Sequence, residues 1–281
     1  MTDLVSNAED SLISEEQFHN YTFAWEKLVN ERGGNLDEAN SQTLNPFFLI
    51  ADNPNVWTTG IYFTQQAIHR LISSVGVLTV QARFAIMPKT NAEGTKSGLF
   101  TIILYGTDTL GARSSAFYIG QPISEYMDCG KSPSLKSSAP ASGGEIAYPL
   151  AQTWICNWQN LLKHGNSVPD GQPKKTEIKD LLFLTKYGYL KGYSYDMMDF
   201  TNTIYTLNTD NTYDLLMMLA LHDHHYVEWP KNPKVKYTFG LVLKGVIGDP
   251  PSDSGIATFQ ITDDSFYDLS APCPPTCPGA S

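Results

Sequence analysis

The chain has 281 residues, 42% of them hydrophobic and only 17% charged, with 29 Asp and Glu against 19 Lys and Arg. The net charge of −10 argues against a nucleic-acid partner, because binding a phosphate backbone needs clustered Lys and Arg. No apolar run reaches the roughly 18 residues of a membrane span, and four cysteines are too few for a disulfide scaffold at this length.

In chain order, "MTDLVSNAEDSLISEEQF" is acidic and lacks the basic and apolar regions of a signal peptide. Residues 1–16 are a polar lead-in, and the expected location is the cytoplasm, where the cysteines would be thiols. In "YTFAWEKLVN", Tyr21, Trp25, Leu28 and Val29 fall at helical spacing. "PFFLI" then predicts a short strand, and "GIYF" precedes a second helix in "TQQAIHRLISS", with Ile68 and Ile72 one turn apart. "VGVLTVQARFAIM" and "FTIILYG" predict two strands, and the Gly- and Asp-bearing turn "GTDTLGARS" leads to a third, "SSAFYIG". A Ser-, Pro- and Gly-rich stretch over residues 131–145 has the composition of a linker.

The pattern then repeats. Trp154, Trp158, Leu161 and Leu162 each lie 133 residues after Tyr21, Trp25, Leu28 and Val29. "LLFLT" follows "PFFLI" by 135 residues (Phe48 to Phe183), and Gly192, Phe200 and Ile204 follow Gly60, Ile68 and Ile72 by 132. "FGLVLKG" answers "FTIILYG" at 139 (Phe100 to Phe239), and Phe259 and Ile261 answer Phe117 and Ile119 at 142. "DLLMMLALHDHH" takes the place of "VGVLTVQARFAIM", which at a shift of 138 sets His222 opposite Phe84 and His224 opposite Ile86. Its consecutive apolar residues predict a strand buried on both faces.

The expected fold is α+β: a tandem duplication of a helix–helix–antiparallel three-strand meander unit, with helices on one face of an antiparallel sheet. The units are residues 1–130 and 146–281, related by a pseudo-two-fold axis.

Three groups of residues are candidates for a site. His222 and His224 project from one strand face with Asp223 beside them, a pattern that could hold a divalent metal such as zinc, or simply mark a strand running into a polar hairpin. Cys273 and Cys277 form a C-x3-C with two prolines, either a redox pair or part of an extended tail. Tyr187, Tyr189, Tyr193, Tyr195 and Trp229 offer amphipathic rings for a protein interface or for stacking on sugars, against the alternative of half-buried strand residues. Signatures of a catalytic nucleophile are absent, as are phosphate-cradling loops.

The segments at Val75 to Phe84 and Leu104 to Asp108, with the closing Cys273 to Cys277, resemble small uncharacterised proteins of Bacteroidota genomes. That resemblance implies no activity. The functional expectation is a non-catalytic module that binds a protein partner or self-associates, without cofactor, nucleic acid or membrane span. A metal-dependent enzyme using His222, Asp223 and His224 is one alternative, and a carbohydrate-binding module using the Tyr- and Trp-rich strands is the other.

Overall fold

In the computed structural model, the described residues are 11–30, 44–50, 56–90, 96–129, 145–146, 148–164, 178, 180–185, 188–198, 200–201, 214–223, 237–248, 259–260, 266–267 and 271–273. Two long antiparallel hairpins form the centre. Strand β3 (Thr79–Thr90) pairs with β4 (Lys96–Thr107) from Thr79↔Thr107 to Thr90↔Lys96. Strand β11 (Asp214–Asp223) pairs with β12 (Tyr237–Gly248) from Asp214↔Val246 to Asp223↔Tyr237.

Shorter strands extend each hairpin into a sheet. In the first sheet the order is β1 (Leu12–Ile13), β5 (Phe117–Ile119), β4, β3, β10 (Gly192–Asp196) and β15 (Ala271–Cys273). In the second it is β7 (Glu145–Ile146), β14 (Phe266–Tyr267), β12, β11, β2 (Gly60–Phe63) and β6 (Gln121–Ile123), with β13 (Phe259–Gln260) on the far end of β12. Strands β8 (Leu184–Thr185) and β9 (Gly188–Tyr189) make a separate small hairpin. The helices are α1 (Glu15–Asn30), α2 (Gln65–Ile72) and α3 (Tyr148–His164), and none is long and apolar enough to cross a membrane. A reciprocal capping box starts α1: the Gln17 N–H donates to Ser14 Oγ, and the Ser14 N–H donates to Gln17 Oε1.

Each sheet contains strands from both sequence halves. Strand β2 of the first half pairs with β11 (Gly60↔Met218, Phe63↔Leu215), and β10 of the second half pairs with β3 (Gly192↔Arg83, Tyr195↔Val80). The pairs agree in register: the shift that carries Gly60 to Gly192 and Phe63 to Tyr195 is 132 residues, while their partners shift by 135, Arg83 to Met218 and Val80 to Leu215. The pairs β2↔β6 and β10↔β15 match likewise, Ile61↔Pro122 against Tyr193↔Pro272.

This register corrects two sequence expectations. If the two hairpins are aligned through the pairing of β10 with β3 and of β2 with β11, Thr79 stands level with Asp214, His222 with Met87, and Leu219 with Phe84. The neighbour of β12 that answers β5 is β14, so "FY" at Phe117 and Tyr118 corresponds to "FY" at Phe266 and Tyr267, not to Phe259. In place of the short strand expected in "PFFLI" there is a 3-10 turn over Asn45–Phe48, with Pro46, which donates no ladder hydrogen bond; in "LLFLT" a 3-10 turn over Asp180–Phe183 runs into the short strand β8 at Leu184–Thr185. Of the second-half helix expected around Phe200, most lies outside the described residues.

Pleating sorts the side chains. Val80, Ala82, Phe84 and Ile86 of β3 meet Leu215, Met217, Leu219 and Leu221 of β11 in one cluster between the sheets. On the outer face of the second sheet, Leu216, Met218 and Ala220 pack with Ala151 and Ile155 of α3; on that of the first, Ala85 and Ile103 pack with Phe18 of α1. Where one sheet with helices on one face was expected, parts of α1 and α3 pack on the outer faces of the two sheets, while Trp25 and Val29 of α1, Trp158 and Leu162 of α3, and Ala67, Ile68 and Leu71 of α2 join the cluster between them. The continuous apolar run of β11 follows, because both of its faces are buried.

Aromatic rings fill the centre, with Phe84 within 6.3 Å of Trp25, Phe100, Phe183 and Phe239. Trp25 lies 5.2 Å from Phe100 and 4.9 Å from Phe183, while Trp158 lies 5.5 Å from Phe239 and 5.4 Å from Phe48. Each indole also reaches across to the other half: Trp25 Nε1 donates to Leu190 O at 2.8 Å and Trp158 Nε1 to Thr58 O at 3.2 Å. At roughly 1.5–3 kcal/mol per fully buried large side chain, these rings hold both halves in one core.

Candidate functional site

The ends of β3, β4 and β10 meet at one edge of the first sheet, because Thr79 pairs with both Thr107 and Asp196. The connecting turns converge there. The Leu78 N–H donates to Thr107 O at 2.8 Å, the Met197 N–H to Leu78 O at 3.0 Å, and the Ser114 N–H to Gly106 O at 2.9 Å. Two aspartates shape the turns: Asp108 Oδ1 accepts the N–H groups of Leu110 and Ala112, and Asp196 Oδ1 accepts that of Met198. On this polar frame sit four exposed apolar side chains: Val75 at 94%, Leu110 at 90%, Met198 at 69% and Leu78 at 48%. The aspartates hold the backbone, so a polar residue would serve the turns as well as Leu110 or Met198.

A second, polar cluster lies beneath α3. The segment after β6 is held there by Thr59, whose Oγ1 donates to Glu125 O and accepts from the Glu125 N–H, both at 2.6 Å. Gln152 Nε2 donates to Asp128 O at 3.0 Å, and Gln159 Nε2 to Glu125 O at 3.4 Å. Met127 packs into the apolar cluster with Ala151 and Ile155, and Cys129 is disulfide-bonded to Cys156 of α3. Both cysteines were expected as thiols; packing of residues 124–129 on α3 brings them together instead. Burial pushes the Glu125 carboxyl up to about 7, with the charge of the buried Lys244 opposing that rise. Glu125 Oε2 is buried and accepts no hydrogen bond among the described residues. A carboxyl with such a proton affinity is a competent acid or base in principle, but the nearby sulfurs are bonded to each other and offer no nucleophile.

The sequence-predicted residues are dispersed. The His222 ring stacks on Trp154 at 4.1 Å and lies against Gly240, with Nε2 buried. It belongs to the packing of α3 on the second sheet. Asp223 pairs with Tyr237 through the backbone; its side chain, and all of His224, Tyr187, Trp229 and Cys277, lie outside the described residues. Among the described residues no three His, Cys, Asp or Glu side chains gather as a metal site. Tyr193 and Tyr195, expected on an interaction face, are buried: Tyr193 donates its hydroxyl hydrogen to Phe239 O at 2.6 Å, and Tyr195 packs on Phe200. The correction is one of pleat, since β10 turns both tyrosines toward the core. Tyr189 is half-buried in β9, and Cys273 is placed only as backbone in β15.

No family model, curated protein or solved structure matches the chain. Its own side chains therefore carry the functional argument. The exposed apolar edge and the Glu125–Lys244 cluster were both missed in the sequence. Val75 was read as the start of a strand, Leu110 sits in a turn and Met198 in a helical segment, so no periodicity marks them as exposed, and Glu125 and Lys244 are far apart in the chain.

Proposed function

We propose that the protein is a non-catalytic interaction module that engages a protein partner, or a second copy of itself, through the apolar edge formed by Val75, Leu78, Leu110 and Met198. The exposure of these four side chains carries the reading, two of them, Leu110 and Met198, on backbone that Asp108 and Asp196 already fix. The acidic composition and low charge content fit a body that presents few sites for nonspecific polyanion binding. The proposal includes an origin by tandem duplication, with two units exchanging strands about a pseudo-two-fold axis. Its support is the matched strand order, the common register of β2 and β10, and the reciprocal Trp25 and Trp158 hydrogen bonds.

The test replaces Val75, Leu110 and Met198 together by Ser. Self-association is read by sedimentation across concentration, and partner contact by a photo-crosslinking residue at position 110. The wild type should show one of these contacts and the variant should lose it while keeping its unfolding midpoint. A wild type that stays monomeric and yields no crosslink that the Val75 and Met198 substitutions abolish sinks the reading. The carbohydrate alternative has lost Tyr193 and Tyr195 to the core and is not pursued.

A further inference from the structure

Cys129 and Cys156 stand on opposite sides of the linker. Cys129 ends the segment that leaves β6, Cys156 lies on α3, and 27 residues separate them in sequence. Their Cα atoms are 5.7 Å apart, a separation any ordinary disulfide adopts. The approach does not depend on the bond: Thr59, Gln152 and Gln159 hold residues 125–128 by hydrogen bonds, and Met127 is buried against α3. Folding therefore presents the two sulfurs to each other, and oxidation closes a contact already made. Cys156 is only 8% exposed, beside the apolar Ile155. Catalytic and sensing cysteines sit in accessible, electropositive surroundings. A cysteine as covered as Cys156 has the character of a structural bond.

We infer that Cys129–Cys156 is a structural staple joining the two halves of the chain, and that the protein works in an oxidising compartment. Its formation passes two protons and two electrons from the paired thiols to the disulfide of an oxidised thiol–disulfide carrier, whose S–S bond breaks as the Cys129–Cys156 bond forms and which leaves as a dithiol. Reducing cytosol does not sustain such bonds in ordinary proteins, whereas export compartments and the extracellular space do. The expectation of cytosolic thiols rested on the N-terminal composition, the lack of an apolar run long enough to span a membrane and the small number of cysteines, and this bond weighs against it. Closing a loop of this length in the unfolded chain is worth on the order of a 400-fold gain in the ratio of folded to unfolded protein. A chain cut within residues 131–144 would also stay covalently one molecule.

Two measurements test the inference on the full-length protein. Cells making it naturally are quenched in acid, their free thiols are alkylated under denaturing conditions, and the digest is read by mass spectrometry. The expected product is a crosslinked peptide pair containing Cys129 and Cys156, with neither sulfur alkylated; recovery of both as alkylated thiols overturns the compartment inference. Separately, denaturation of the oxidised protein is compared with that of the protein reduced after folding and with Cys129→Ser. A loss of about a hundredfold or more in the folded-to-unfolded ratio supports the staple. A change within twofold in both reduced protein and variant overturns it. A protease site placed within residues 131–144 gives an independent readout, since the cut chain should migrate as one species without reductant and as two with it.

Discussion

Substituting Glu125 by Gln should change how stability responds to pH. Burial raises the carboxyl from 4.5 to about 7, with Lys244 opposing. The folded protein then holds a proton that the unfolded chain releases, so stability is greatest below about 4.5 and is lost as pH rises toward about 7. At about 1.4 kcal/mol per tenfold change in proton affinity, the ceiling is about 3.4 kcal/mol. Glu125 is only half-buried, and solvent screening lowers the realistic value to about 1–2 kcal/mol. Glutamine mimics the neutral carboxyl, so the variant should match the wild type near pH 4.5 and exceed it by that amount at pH 8. The assay is urea denaturation between pH 4.5 and 8 with both proteins in the oxidised state, reading the difference between them so that other titrating groups cancel. Parallel wild-type and variant curves, or a variant less stable at pH 8, would refute the assignment of a raised carboxyl at this position.

Gly192 has φ +150°, and a Cβ there would meet the carbonyl oxygen of Ala82, so Gly192→Ala should cost about 2–4 kcal/mol by thermal or chemical denaturation. Trp25→Phe and Trp158→Phe each remove one cross-half indole hydrogen bond and leave a buried carbonyl, of Leu190 or Thr58, without that donor; each should cost about 2–4 kcal/mol, and the two losses should be similar. His222→Ala removes the ring packed between Trp154 and Gly240 and should cost about 1–2 kcal/mol without changing the metal content of purified protein, which elemental analysis checks; loss of a bound metal in the variant would revive the metal reading.

Legibility differed from element to element for physical reasons. The strands in "FTIILYG" and "FGLVLKG" were legible as strands because glycine and phenylalanine mark both ends of each apolar run. The register of β11 was not legible because "LLMMLAL" is apolar at every position: with both faces buried, no alternation marks which residue faces the core, and only pairing with β2 and β12 sets the register. The tyrosines of "GYSY" looked like surface because their neighbours are Gly and Ser, yet in a strand those small residues take the opposite face. Cys129 and Cys156 carry no spacing signal, since a packed segment brings them together rather than a local motif. The exposed apolar edge was illegible because an apolar residue in a turn looks the same in sequence whether it is covered or bare.

The two helix–sheet interfaces differ in what fastens them, and this yields a final prediction. At α1, Glu26 accepts from Arg83 at 2.8 Å and from Lys191 at 3.0 Å, with Tyr105 beside Arg83. Under the proposed duplication, the places beneath α3 that correspond to these are Gln159 for Glu26, Met218 for Arg83, Thr59 for Lys191 and Lys244 for Tyr105. One helix is thus tied by a partly exposed ion triad, the other by a disulfide and by amide hydrogen bonds. Salt screens the first tie and leaves the second untouched, while reductant does the reverse. Amide hydrogen exchange of the full chain should therefore speed up in α1 by about two- to fivefold at 1 M salt, the equivalent of about 0.4–1 kcal/mol, with α3 unchanged. Reductant should speed exchange in α3 and leave α1 alone. If salt and reductant loosen both helices equally, the two ties are not independent, and the division of labour between the interfaces fails.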